Sequence, residues 1–147
     1  MTVQSVFAVL FVLCMLTQLD TSQQPAHDYV VVRDSGAAKI TVRVHTSQIL
    51  LVQLSSQLGT GYDWVVSRCD ASLVEYKLLS DQESRLLQEQ GVLKTAKSGH
   101  MAGSAEPRIF QFRPLSSGKT EIEFHSIRRR EPEKVDKKLL VSIDISR

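Results

Sequence analysis

Apolar and polar residues alternate along much of this chain with a period of two. In Lys39-Ile40-Thr41-Val42-Arg43-Val44-His45, the side chains of Ile40, Val42 and Val44 point one way and their polar neighbours the other. That pattern predicts a half-buried β-strand. Thr120 to Ile127 repeats it with Ile122 and Phe124 inward, and Leu139 to Ile145 repeats it again. Tyr29 to Val32 is a short β-branched run closed by the turn residues Arg33-Asp34-Ser35-Gly36. Ile49 to Leu54 is apolar on both faces, as expected of a strand covered from two sides. Further strands are predicted from Tyr62 to about Arg68, over Leu73 to Leu79, and over Ile109 to Arg113.

The interruptions have their own chemistry. Gly59-Thr60-Gly61 makes a small, permissive tip, and Tyr62 and Trp64 fall on one side of the strand that leaves it. Ser80 to Gln90 suits a short helix, near residues 82–90, that stops at Gly91. Residues 97–108 combine small residues, two glycines and a proline, which predicts a long loop. Pro114 to Gly118 reads as a turn, and Arg128 to Lys138 as a charged loop. About seven short strands, no βα alternation and one brief helix predict an all-β, immunoglobulin-like sandwich. In a sandwich, alternate connections emerge at the same end. The tips at Gly59, at Gly99 to Glu106 and at Arg128 to Lys138 should therefore gather at one pole.

Composition narrows the class. The chain has 147 residues, of which 42% are hydrophobic and 23% charged, as in a folded soluble domain. Eighteen basic and 16 acidic side chains are interleaved, leaving a formal charge of +2. So weak a field argues against nucleic acid or an anionic membrane as partner.

The unbroken apolar run from Val6 to Leu16 is short for a bilayer span and fits the core of a secretory signal peptide. No Lys or Arg precedes it. A leader over residues 1–22, cleaved between 19 and 24, would leave a domain over 23–147. Secretion, or delivery to an endomembrane or lysosome-like lumen, is expected, with no membrane association once the leader is gone; an uncleaved anchor is the alternative. Cys69 would then be the sole cysteine, excluding an internal disulfide and making a buried structural thiol the expectation.

The tip and its flanks resemble the chagasin-type inhibitors of papain-family cysteine peptidases. The family's first motif, Asn-Pro-Thr-Thr-Gly-(Tyr or Phe)-x-Trp, is met by Gln57-Leu58-Gly59-Thr60-Gly61-Tyr62-Asp63-Trp64, which keeps the second threonine, the glycine and both aromatics. A glycine-rich loop before a Phe-containing strand is matched by Gly99-His100-Met101-Ala102-Gly103 before Phe110. The third motif, Arg-Pro-Trp, falls on Arg128-Arg129-Arg130 when counted from Gly118. The departures are Gln57-Leu58 for Asn-Pro, Gly59 for the first threonine, and Arg129-Arg130 for Pro-Trp. The resemblance runs from about Tyr29 to the end.

It implies an immunoglobulin-like domain, monomeric and without cofactor or metal, that fills the active-site cleft of a papain-like cysteine peptidase. Gly59, Thr60 and Gly61 would cover the catalytic cysteine, with Tyr62 in the same peptidase-binding tip. Gly99, His100, Met101, Ala102 and Gly103 would line one side, and Arg128, Arg129 and Arg130 would grip the other. Tyr62, Trp64, Phe110 and Phe124 would serve as core and loop support. Two other classes remain open from the residues. One is a secreted adhesion or ligand-binding sandwich. The other is an enzyme built on Cys69 and one of His27, His45, His100 or His125, although no motif places a histidine and no metal-ligand spacing occurs.

Overall fold

Among the described residues the period-two pattern produces eight strands in two four-stranded sheets. The computed structural model describes residues 27–56, 58–94 and 106–147, and of residue 58 only the backbone. In chain order the strands are β1 (Asp28–Arg33), β2 (Lys39–His45), β3 (Gln48–Ser56), β4 (Tyr62–Arg68), β5 (Val74–Leu78), β6 (Glu106–Pro114), β7 (Gly118–Arg128) and β8 (Glu131–Ser146). Among the described residues a single 3₁₀ turn, Leu58–Thr60, precedes β4, and one helix, α1 (Asp81–Glu89), follows β5. One sheet has the order β1-β3-β6-β5 and the other β2-β8-β7-β4. β1 runs parallel to β3, β2 parallel to β8, and every other pairing is antiparallel.

The core lies between the sheets, where alternate residues of each strand meet. Leu50, Val52 and Leu54 of β3 face Phe110 and Phe112 of β6, Ile122 and Phe124 of β7, and Leu139, Val141, Ile143 and Ile145 of β8. Phe124 meets Phe110 and Phe112 edge-on, with ring centroids 5.3 and 5.8 Å apart, the geometry that aromatic quadrupoles favour.

The other face of β3 explains its double-sided apolar run. Ile49 and Leu51 join Ile109 under Leu79, Leu87 and Leu93, so α1 and its flanks roof the outside of that sheet. Local chemistry fixes the helix. The Ser80 hydroxyl accepts from the Glu83 amide at 3.3 Å while a Glu83 carboxylate oxygen accepts from the Ser80 amide at 2.8 Å, closing a reciprocal cap. The Lys77 ammonium, then the Ser80 donors, hold the Glu83 carboxyl at about 2. Gly91, at φ +74°, supplies the left-handed residue just beyond the helix, and the Val92 amide turns back to the Leu87 carbonyl at 2.9 Å. Ser80→Ala is expected to cost about 1 kcal/mol, measured by denaturant titration of the two proteins.

Two predicted boundaries move. The segment expected as a charged loop from Arg128 to Lys138 is mostly strand: only Arg129 and Arg130 form the turn, and β8 begins at Glu131. Its residues 131–138 pair with β7 alone, because β2 joins β8 only from Leu140 onwards. Both faces there are solvated, so no apolar alternation is required. The pairing is also irregular, with register shifts on either side of Ile127. Similarly, Arg108 belongs to β6 rather than to the preceding loop, since Glu106, Pro107 and Arg108 pair with Ser56, Ser55 and Leu54.

Candidate functional site

Strand register decides where the tips emerge. β3 ends at Ser56 beside Glu106, the first residue of β6, and β4 begins at Tyr62 opposite Arg128, the last residue of β7. The β3–β4 tip, the β7–β8 turn and the entry into β6 therefore share one end of the sandwich. Gly99, His100, Met101, Ala102 and Gly103 lie outside the described residues; the exit of their segment, at Glu106, is at this end.

The two described tips touch. The Arg129 amide donates to the Gly61 carbonyl at 2.9 Å. Gly59, Thr60 and Gly61 face Arg128, Arg129 and Arg130 across a groove of about 450 Å³. Gly59 and Thr60 are exposed. At Gly61, φ is +82° and a built Cβ would meet nothing within 4 Å, so glycine is needed there for conformation and not for space. Tyr62 is half-buried, with the Arg128 guanidinium 5.9 Å from its ring centroid, a cation–π arrangement that braces the turn against the strand. Trp64 is in the core, and its indole N–H donates to the Ser55 carbonyl at 3.0 Å. Phe110 and Phe124 lie in the same core.

Sequence reasoning passed over the residue between the two aromatics. Asp63 is buried, and its carboxylate is the meeting point of the pole. Arg108 approaches side-on, Nε to Oδ1 at 2.8 Å and Nη2 to Oδ2 at 2.5 Å. Arg129 adds Nη2 to Oδ2 at 3.0 Å, and the Trp64 amide donates to Oδ1 at 2.9 Å. The Ser56 hydroxyl donates to the Tyr62 carbonyl at 2.9 Å and sits 3.3 Å from Oδ1. Burial pushes the Asp63 carboxyl up, but hydrogen bonds from Arg108 and Arg129, the Arg108 charge and the Trp64 amide outweigh it and hold it at about 2. The carboxylate raises the Arg108 guanidinium in return. Of the three turn arginines, Arg129 thus directs its guanidinium inward onto Asp63, whereas the sequence suggested that it faced a partner.

Cys69 is half-buried against the main core. Burial, then the Asp70 carboxylate, push its thiol up, the reverse of the activation a nucleophilic cysteine needs. Among the described residues no three His, Cys, Asp or Glu side chains are grouped so as to hold a metal ion.

A two-sheet sandwich with paired tips at one pole defines the class: an immunoglobulin-like, loop-presenting domain. Within that class, the family model described as chagasin family peptidase inhibitor I42 matches residues 43–145. The chain belongs to the chagasin family of peptidase inhibitors. The cysteine protease inhibitor EhICP2 from Entamoeba histolytica has the same fold, with a TM-score of 0.56 at 20% identity over 82% of this chain and 98% of that one. PbICP-C, solved in complex with falcipain-2, gives 0.56 at 11% identity, over 82% and 100%. Amebosin gives 0.51 at 14% identity, over 82% and 98%. No curated protein matches the chain in sequence.

Proposed function

We propose that the mature domain inhibits a papain-like cysteine peptidase by seating its paired tips, with the segment that leads into β6, in the active-site cleft. The observation that carries this is the Arg129–Gly61 hydrogen bond, which presents the Gly59-Thr60-Gly61 tip and the Arg128–Arg130 turn as one surface. Gly59 and Gly61 bring bare backbone to the point of closest approach, so Thr60 reaches the enzyme without flanking side chains in the way. Tyr62 and Arg128 support that tip, and Arg128 and Arg130 offer guanidinium groups to carboxylates on the cleft wall. Gly99, His100, Met101, Ala102 and Gly103 contact the opposite wall. A standard interface of about 1,600 Å² needs only a few such anchors. Inhibition by occlusion requires no cofactor and no chemistry from this chain, and the domain acts as a monomer. The apolar run from Val6 to Leu16 supports secretion or delivery to an endomembrane lumen, where peptidases of this class would be met.

Titrating papain with the mature protein tests the function. The expected result is stoichiometric loss of activity, with the inhibitor recovered uncleaved and fully active after alkylation of Cys69. Undiminished papain activity at a large excess of the protein would favour an adhesion or ligand-binding role for the same tips.

A further inference from the structure

The Asp63 cluster joins parts of the chain that are far apart. Ser56 ends β3, Trp64 follows the tip in β4, Arg108 lies at the start of β6, and Arg129 is in the β7–β8 turn. Arg108 and Arg129 are 45 and 66 residues from the carboxylate they share. The β3–β4 tip, the start of β6 and the β7–β8 turn therefore each have one foot on Asp63. The cluster also sits where it can set geometry without taking part in contact: the Asp63 side chain is 11% exposed, while Gly59 and Thr60 are exposed.

We propose that Asp63, Arg108 and Arg129 form a strut that fixes the Gly59–Gly61 tip, the β7–β8 turn and the start of β6 relative to one another before a peptidase is met, with Arg129 acting as a positioning residue and not as an enzyme contact. The proposal rests on the inhibitory role argued above. Its physical basis is pre-organisation: a wedge whose parts are held in the bound arrangement loses less freedom on docking than one that must assemble in the cleft. Arg129 suits the task because its backbone and its side chain act together. Its amide holds the Gly61 carbonyl while its guanidinium holds the carboxylate one strand position below Tyr62, so the turn is gripped at two points. Arg108 ties the same carboxylate to the strand that the Gly99–Gly103 segment enters. A planar guanidinium fork is the side chain best able to make such oriented bonds.

The test uses Arg129→Met, which keeps length and removes the charge. Arg129 is largely exposed, so the fold should tolerate it. In the free protein, the Arg129 amide is expected to exchange with solvent roughly tenfold faster in Arg129→Met, while amides of Ile122 and Val141 in the core strands keep their wild-type rates. Unchanged exchange at Arg129, or a uniform rise across the core, overturns the strut. With papain as the probe, Arg129→Met should slow association by roughly tenfold. In an Asp63→Asn background the same substitution should add almost nothing, because the strut is already broken. A full loss from Arg129→Met in the Asp63→Asn protein would make Arg129 a direct contact and overturn its positioning role. The exchange measurement involves no peptidase, so failure of the wild-type protein to inhibit papain would sink the functional reading while the strut was still judged on its own result.

Discussion

Thr60→Glu should raise the inhibition constant against papain by about 100-fold or more while leaving the unfolding midpoint within a degree or two of wild type. The asymmetry follows from where Thr60 stands. It is exposed, at the end of the 3₁₀ turn that leads into Gly61, and belongs to neither core cluster. In the proposed complex it enters the most enclosed part of the cleft, where a longer side chain clashes and an added carboxylate is stripped of water. Burying an unpaired charge or placing like charges together costs several kcal/mol, and each 1.4 kcal/mol is a factor of ten. The change should appear mainly as faster dissociation. Glutamate beside Arg128–Arg130 has local partners in the free protein, which would stabilise the unbound state and deepen the loss. Inhibition retained within about threefold of wild type would remove the Thr60 tip from the mechanism. Parallel thermal scans of the two proteins check that the fold is intact.

What the sequence disclosed and what it withheld divide along physical lines. Ile40, Val42 and Val44, or Ile122 and Phe124, declare their strands because burial on one face forces the alternation. The two-sided run at Ile49 to Leu54 announced a second cover, and α1 with Leu87 and Leu93 provides it. Ser80, Glu83 and Gly91 mark the ends of that helix through caps that act within a few residues. The hairpin arm from Glu131 to Lys138 gave no such sign. With water on both faces, its side chains answer to no core, and its pairing with β7 is broken by register shifts. Asp63 is the sharper case. Within Tyr62-Asp63-Trp64 the alternation assigns it to the outer face, where an acid is expected to be solvated. Its burial depends on two arginines, one from β6 and one from the β7–β8 turn, and ion pairing across such separations leaves no periodicity. The chagasin resemblance placed the Arg128–Arg130 turn beside the Gly61 tip, but it could not say that Arg129, standing where the family has proline, turns back into the domain. Both prolines of the family motifs are missing here, replaced by Leu58 and Arg129.

Asp63→Asn should lower stability at neutral pH by roughly 2 kcal/mol and erase part of the protein's sensitivity to acid. The carboxyl ordinarily titrates near 3.8 and is held at about 2 in the folded domain. A depressed value means that folding prefers the ionised form, so the stabilisation is complete above about pH 4 and disappears as pH falls from there through 2. A shift of that size corresponds to roughly 2 kcal/mol. Asparagine keeps an oxygen for the Trp64 amide but leaves the Arg108 guanidinium, three-quarters buried, without its counter-charge. In denaturant titrations across pH 2 to 7, the wild-type protein should hold a plateau down to about pH 4 and then weaken. The variant should start lower and show a shallower fall over the same interval, the two curves drawing together near pH 2. Because Glu83 is held low as well, some acid sensitivity will remain in both proteins. Parallel curves, offset equally at every pH, would mean that the charge of Asp63 contributes nothing and that only its shape matters. Converging curves would mean that Asp63 stays ionised well below pH 5, so that its pairing with Arg108 and Arg129 persists in mildly acidic solution.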